Sequence, residues 1–200
     1  MKVKILLTVV ASLLVGFLFA QTDNAEKKVG VLNHPNHILF SPLYFFNGTF
    51  MLTYERLFPS GSLRISPSVK LQHIDDYRFT QKEGLGIDLG YKFFLTKRPF
   101  RVNFYLGPYA LYKSVKVKKA VDKHSSIKTY NTDIYDVVGL GVDTGVKFIF
   151  GRFTMDVMAG GGIRYAYLNG RSFDSSYALW YDVDYKGIVP RINLSLGAAF

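Results

Sequence analysis

Cysteine is absent from the 200 residues, which excludes a disulfide framework, a thiolate metal site and an N-terminal lipid anchor on cysteine. Tryptophan occurs once. Helical apolar periodicity is scarce in the body of the chain, and beyond residue 35 no apolar run is long enough for a membrane-spanning helix. Acidic residues are the minority charge, 15 against 25 Lys and Arg. No phosphate-binding loop, dinucleotide fingerprint or metal-ligand cluster is present. Gly160-Gly161-Gly162 follows a strand pattern but opens no helix, so no cofactor is expected.

What is present is aromatic, glycine-rich and alternating: 14 Tyr, 17 Phe and 18 Gly, the composition of an all-β protein. The first residues differ. "MKVKILLTVVASLLVGFLFAQ" carries Lys2 and Lys4, an apolar run from Ile5 to Phe19, and Ala20 before Gln21. It reads as a secretory signal peptide over 1–20, because the run is short for the ~20 residues of a spanning helix. Removing Lys2 and Lys4 leaves 25 − 2 = 23 basic and 15 acidic side chains, a net charge near +8. An exported cation of this kind meets anionic lipid or polysaccharide rather than nucleic acid. Residues 21–36 form a polar lead-in, and 37–200 a single β domain.

Eight alternating segments fill that domain, at about 37–46, 49–58, 62–72, 84–95, 100–113, 134–150, 152–167 and the terminal strand. Asn47-Gly48 and Gly151 mark tight turns. The connections at about 73–83, 114–133 and 168–186 are long. Those after the second, fourth and sixth strands are short and share an end with both termini. Alternating long and short connections, an even strand count and one continuous apolar face per strand predict an eight-stranded antiparallel up-and-down transmembrane β-barrel. The competing reading is a soluble sandwich. It would show a Lys/Glu/Thr surface rather than polar faces that mix both charge signs with glycine.

An eight-stranded barrel is filled by side chains, so its inward charges must pair. The predicted interior network is Glu55, Arg64, Lys70, Asp88, Lys92, Arg101, Asp143, Lys147, Asp156, Arg164, Arg191 and Asn193. Cations outnumber anions in this set. Aromatics near strand ends, among them Tyr44, Tyr54, Phe58, Tyr91, Phe93, Tyr112, Phe148, Phe150, Phe153, Tyr165 and Phe200, suit interfacial girdles.

The segment "FSPLYFFNGTFMLTYERLFPSGSLRI", the Ala-Gln junction and the aromatic terminus resemble small outer-membrane β-barrels of Bacteroidota. Those families have no known function, and their architecture is that of OmpX and OmpA barrels. The resemblance implies insertion by the outer-membrane assembly machinery, with Asn193 and Phe200 in the C-terminal signal. Ser195 stands where glycine is usual, and Ala198 where a larger apolar residue is usual.

Two loop features invite a function. Lys113, Lys116, Lys118, Lys119, Lys123 and Lys128 cluster in "KSVKVKKAVDKHSSIKTYNTD". Lys116, Lys118, Lys119 and Lys123 could contact lipopolysaccharide phosphates, or they could form a solvated face. Val115, Val117 and Ala120 suggest that the strands continue upward as a hairpin. The aromatic, acidic stretch 169–187 could meet an envelope partner or a glycan. His73 with Asp75 and Asp76, and His124 with Ser125 and Ser126, are the residues that lipid A chemistry would use. Spacing does not bring them together, and no catalytic residue is assigned. The expected role is structural or interactive within the envelope. The rivals are a narrow channel or hydrophobic-molecule conduit and a lipid A-modifying enzyme.

Overall fold

The computed structural model describes residues 34–74, 80–95, 101–120, 130–169, 171–172 and 185–200. The strands are β1 (Asn36–Phe40), β2 (Thr49–Phe58), β3 (Gly61–Ile74), β4 (Thr80–Phe94), β5 (Val102–Ala120), β6 (Tyr130–Phe150), β7 (Phe153–Leu168), β8 (Arg171–Ser172) and β9 (Gly187–Ala199). Neighbours pair antiparallel in the order β6-β5-β4-β3-β2-β1-β9-β7, and β6 pairs β7. That last pairing closes an eight-stranded up-and-down barrel. The two residues of β8 only extend β7.

The first strand is shorter than its apolar pattern predicts. β1 stops at Phe40, and Pro42–Phe45 form one helical turn, α1. Proline explains the break. It has no N–H for the ladder, and its ring drives Ser41 into extended backbone (φ −110°, ψ 90°) while fitting the first turn of a helix. Gly48 (φ 70°) then turns the chain into β2. β5 and β6 run the other way, beyond the predicted limits, pairing from Val102↔Phe148 up to Ala120↔Tyr130. Most of the expected 114–133 loop is therefore a continued hairpin.

β9 closes the ring. Leu39 lies opposite Gly197 on one side and Asp156 opposite Ser195 on the other. Phe200 accepts from the Asn36 N–H at 3.3 Å and donates to the Asn36 carbonyl at 2.8 Å. Gly197 allows this seam, since a Cβ there would lie 1.9 Å from the Ile38 carbonyl oxygen. The short turns and Phe200 define a closed end. Helix α1 and the Gly48 turn lie at the opposite, open end.

The two faces of the wall carry inverted polarity. Outward positions are apolar and exposed, for example Leu85 at 67%, Leu140 at 63% and Ile192 at 72%. Along β5 the outward run is Val102, Phe104, Leu106, Pro108, Ala110 and Tyr112. It gives way to Ser114, Lys116 and Lys118 above. Inward positions are polar and buried: Glu55 and Lys147 are at 0%.

Candidate functional site

The interior is layered from the closed end upward. Leu57, Phe94, Tyr105 and Ile149 form an apolar floor. Above it lies a first tier of charge. Glu55 on β2 accepts from Lys147 Nζ at 2.7 Å, from Lys92 Nζ at 3.1 Å and from the Ser62 hydroxyl. Lys92 also pairs with Asp156 and lies 4.7 Å from the Tyr105 ring centre. The Tyr105 hydroxyl donates to Asp156 Oδ1 at 2.7 Å.

A second tier follows. Arg64 pairs with Asp143 and, at 3.3 Å, with Asp88. Arg191 reaches the other Asp88 oxygen at 2.7 Å and Asp143 at 3.8 Å. The Arg191 guanidinium lies 3.9 Å from the Tyr109 ring centre, a cation–π contact. Four cations and four anions thus meet in two tiers with zero net charge. Charges inside such a wall are tolerable only when each has a partner. The void within these tiers measures about 10 Å³.

Glycines make the network fit. A Cβ on Gly90 would lie 2.7 Å from Arg64 Nε, and one on Gly160 would lie 2.5 Å from Asp143 Oδ1. A Cβ on Gly162 would meet the Tyr109 hydroxyl at 2.6 Å. These side chains fold across the bare backbone of nearby strands.

Of the predicted interior residues, Glu55, Arg64, Asp88, Lys92, Asp143, Lys147, Asp156 and Arg191 come together in the tiers. Asn193 is buried beside them, where its amide donates to Ser41 Oγ at 3.1 Å and to Ser195 Oγ at 2.9 Å. Lys70 and Arg164 stand higher, on the wall of a cavity at the open end. Arg101 is a correction: it is exposed and precedes β5. It shares inward parity with Asn103, but the strand begins only at Val102, so parity assigns it no face. The tiers themselves balance, and the excess cations Lys70 and Arg164 stand above them on the cavity wall.

Alternation puts Lys113 on the polar face of the fifth strand with Tyr105 and Tyr109, although it also counts among the loop lysines, and it points into the open-end cavity. Lys116 is exposed on the outer wall. Lys118 lies on the same face, 3.6 Å from Glu83 on β4. Lys119 belongs to β5, and Lys123 lies outside the described residues. So do the signal segment 1–20, Asp75, Asp76, His124, Ser125, Ser126 and most of 169–187. Tyr44 also departs from its girdle assignment. Helix α1 turns it toward the cavity, whereas Tyr54, Phe58, Phe93, Tyr112, Phe153, Tyr165 and Phe200 are exposed.

Sequence reading passed over His37, which is fully buried and shares a 2.8 Å hydrogen bond between Nδ1 and the Thr154 hydroxyl. It also passed over Met158, which accepts from Arg64 at 2.9 Å. Among the described residues no cluster of three or more His, Asp or Glu could hold a metal ion, and no helix is long and apolar enough to cross a membrane.

No protein-family model, curated protein or solved structure matches this chain. The fold speaks alone. It is a closed, eight-stranded antiparallel barrel, of the kind found in small outer-membrane proteins in general.

Proposed function

We propose that the chain is an integral outer-membrane protein of a Gram-negative envelope, exported through its N-terminal segment and holding a filled, non-conducting barrel in the lipid. Its role is structural or interactive: envelope integrity, attachment, or membership of a larger membrane complex. Lipid and lipopolysaccharide surround it, and the outer-membrane assembly machinery inserts it. No catalytic role is part of this reading.

The observation that carries the reading is the inverted polarity of the wall. A soluble domain buries its apolar faces and solvates its charges. Here the eight tier charges are buried and paired while large apolar side chains cover the outside. Exposed apolar surface of this extent needs an apolar solvent. The outward run from Val102 to Tyr112 suits the ~9–11 residues of a tilted spanning strand. Pairing of β6 with β7 and of β1 with β9 also reduces the backbone edge left to hydrocarbon. The two charge tiers support a filled interior over a channel.

Membrane fractionation combined with gel mobility tests this. The protein is expected to resist carbonate and urea washing, to require detergent for extraction, and to migrate differently when unheated and boiled. Solubility without detergent and a single heat-independent mobility would refute the membrane reading. Pure protein in a planar bilayer is expected to give no steady openings, and steady openings would overturn the filled interior.

A further inference from the structure

Above the second tier the barrel encloses a cavity of about 380 Å³, within the roughly 300–1,000 Å³ of small-molecule sites. Arg191 forms its floor, with its charge already met by Asp88 at 2.7 Å. Lys70 and Lys113 project from the walls, and no carboxylate is among the described residues that line it. The Lys70 ammonium donates to the Asn47 carbonyl and side-chain oxygen at 3.3 and 3.4 Å, both neutral acceptors. The Lys113 ammonium lies 5.9 Å from the Tyr44 ring centre. It also sits within electrostatic reach of Lys70, Arg164, Arg191 and Asp88. Like charges gathered in a sheltered cavity repel one another, and an anion seated among them removes that cost.

The remaining wall is apolar. Leu111, Val115 and Val137 face the cavity, and Val115 continues upward into a buried cluster with Val117 and Tyr135. We propose that this cup binds a small amphipathic anion, its single carboxylate or phosphate head between Lys70 and Lys113 and its apolar body along Leu111, Val115 and Val137. The charge tiers beneath block passage toward the closed end. Binding of this kind goes beyond the structural role proposed above and does not require a channel.

Calorimetric titration of the full chain in amphipol with octanoate, octyl phosphate, octanol and inorganic phosphate tests the assignment. Octanoate, octyl phosphate or both are expected to bind saturably, and which one binds identifies the head. Octanol and inorganic phosphate, each lacking one half of the recognised chemistry, are expected to give no saturable heat. The double substitution Lys70→Met, Lys113→Met is expected to weaken binding by about tenfold or more, as loss of charge-assisted hydrogen bonds does. Val137→Phe, which fills the apolar wall and leaves both charges, is expected to weaken it as well. Lys116→Met on the outer wall is expected to leave it unchanged. Heat-dependent mobility confirms that each variant is folded, and Lys113→Gln replaces the double variant if that one does not fold. Saturable binding of octanol, full affinity in the folded lysine variant, or no binding by either amphipathic anion would overturn the proposal.

Discussion

Around the Arg64–Asp88–Asp143–Arg191 tier the interior leaves about 10 Å³ unfilled, while above it the barrel encloses about 380 Å³. The wall changes between these halves, since β1 pairs its neighbours only as far as Phe40 and α1 stands in its place above. The inward side chains differ as well. Near the closed end, β2, β4, β5 and β6 project Glu55, Lys92, Tyr105 and Lys147 toward the axis. Near the open end, β4 and β6 bring Gly84, Gly86 and Gly139 to the cavity wall. Charge follows the same division. The closed half matches four cations with four carboxylates, whereas the open half concentrates lysines.

Substitutions in the two halves should therefore differ sharply. The largest effect is expected from Glu55→Gln, which leaves Lys92 and Lys147 facing each other without their shared carboxylate. Stability should fall by about 3–5 kcal/mol, as when one partner of a buried pair is removed. The urea midpoint of the barrel refolded in vesicles measures it, and an unchanged midpoint would mean that the tier is not the structural centre. Gly90→Val comes next, because its Cβ would lie 2.7 Å from Arg64 Nε. Displacing that side chain is expected to cost about 1–3 kcal/mol, as overpacking does, read from the same transition. Lys113→Met in the open half should shift the midpoint least, by under about 0.5 kcal/mol. Any shift there should be toward greater stability, since one of several like charges is removed. A loss comparable to that of Glu55→Gln would erase the distinction between the halves.

Strand identity was legible wherever a period of two ran uninterrupted. Arg64, Lys92, Asp143 and Lys147 could be assigned inward from alternation alone, because a strand offers only two faces. Legibility failed where local chemistry interrupted that rule. Pro42 ended β1 early inside an apolar run that looked continuous. The Lys113–Lys119 stretch fell within an expected loop although Val115, Val117 and Ala120 suggested a continued hairpin, and the ladder shows the hairpin. Arg101 kept inward parity on paper yet fell before the strand began. None of these errors concerned the choice of fold. Each concerned where a strand starts or stops.

From the sequence alone came the eight alternating segments, their turns, and the division of residues between an apolar and a charged face. These follow from backbone geometry and side-chain polarity, which are local. Which charges meet was decided only by the tertiary structure. Glu55 and Lys147 are 92 positions apart, and Arg64 and Asp143 are 79 apart. Their pairing depends on the stagger of a closed ring. Closure also separated a neutral, filled half from a lysine-lined cavity, because only the folded barrel sets the height of each inward residue along a common axis.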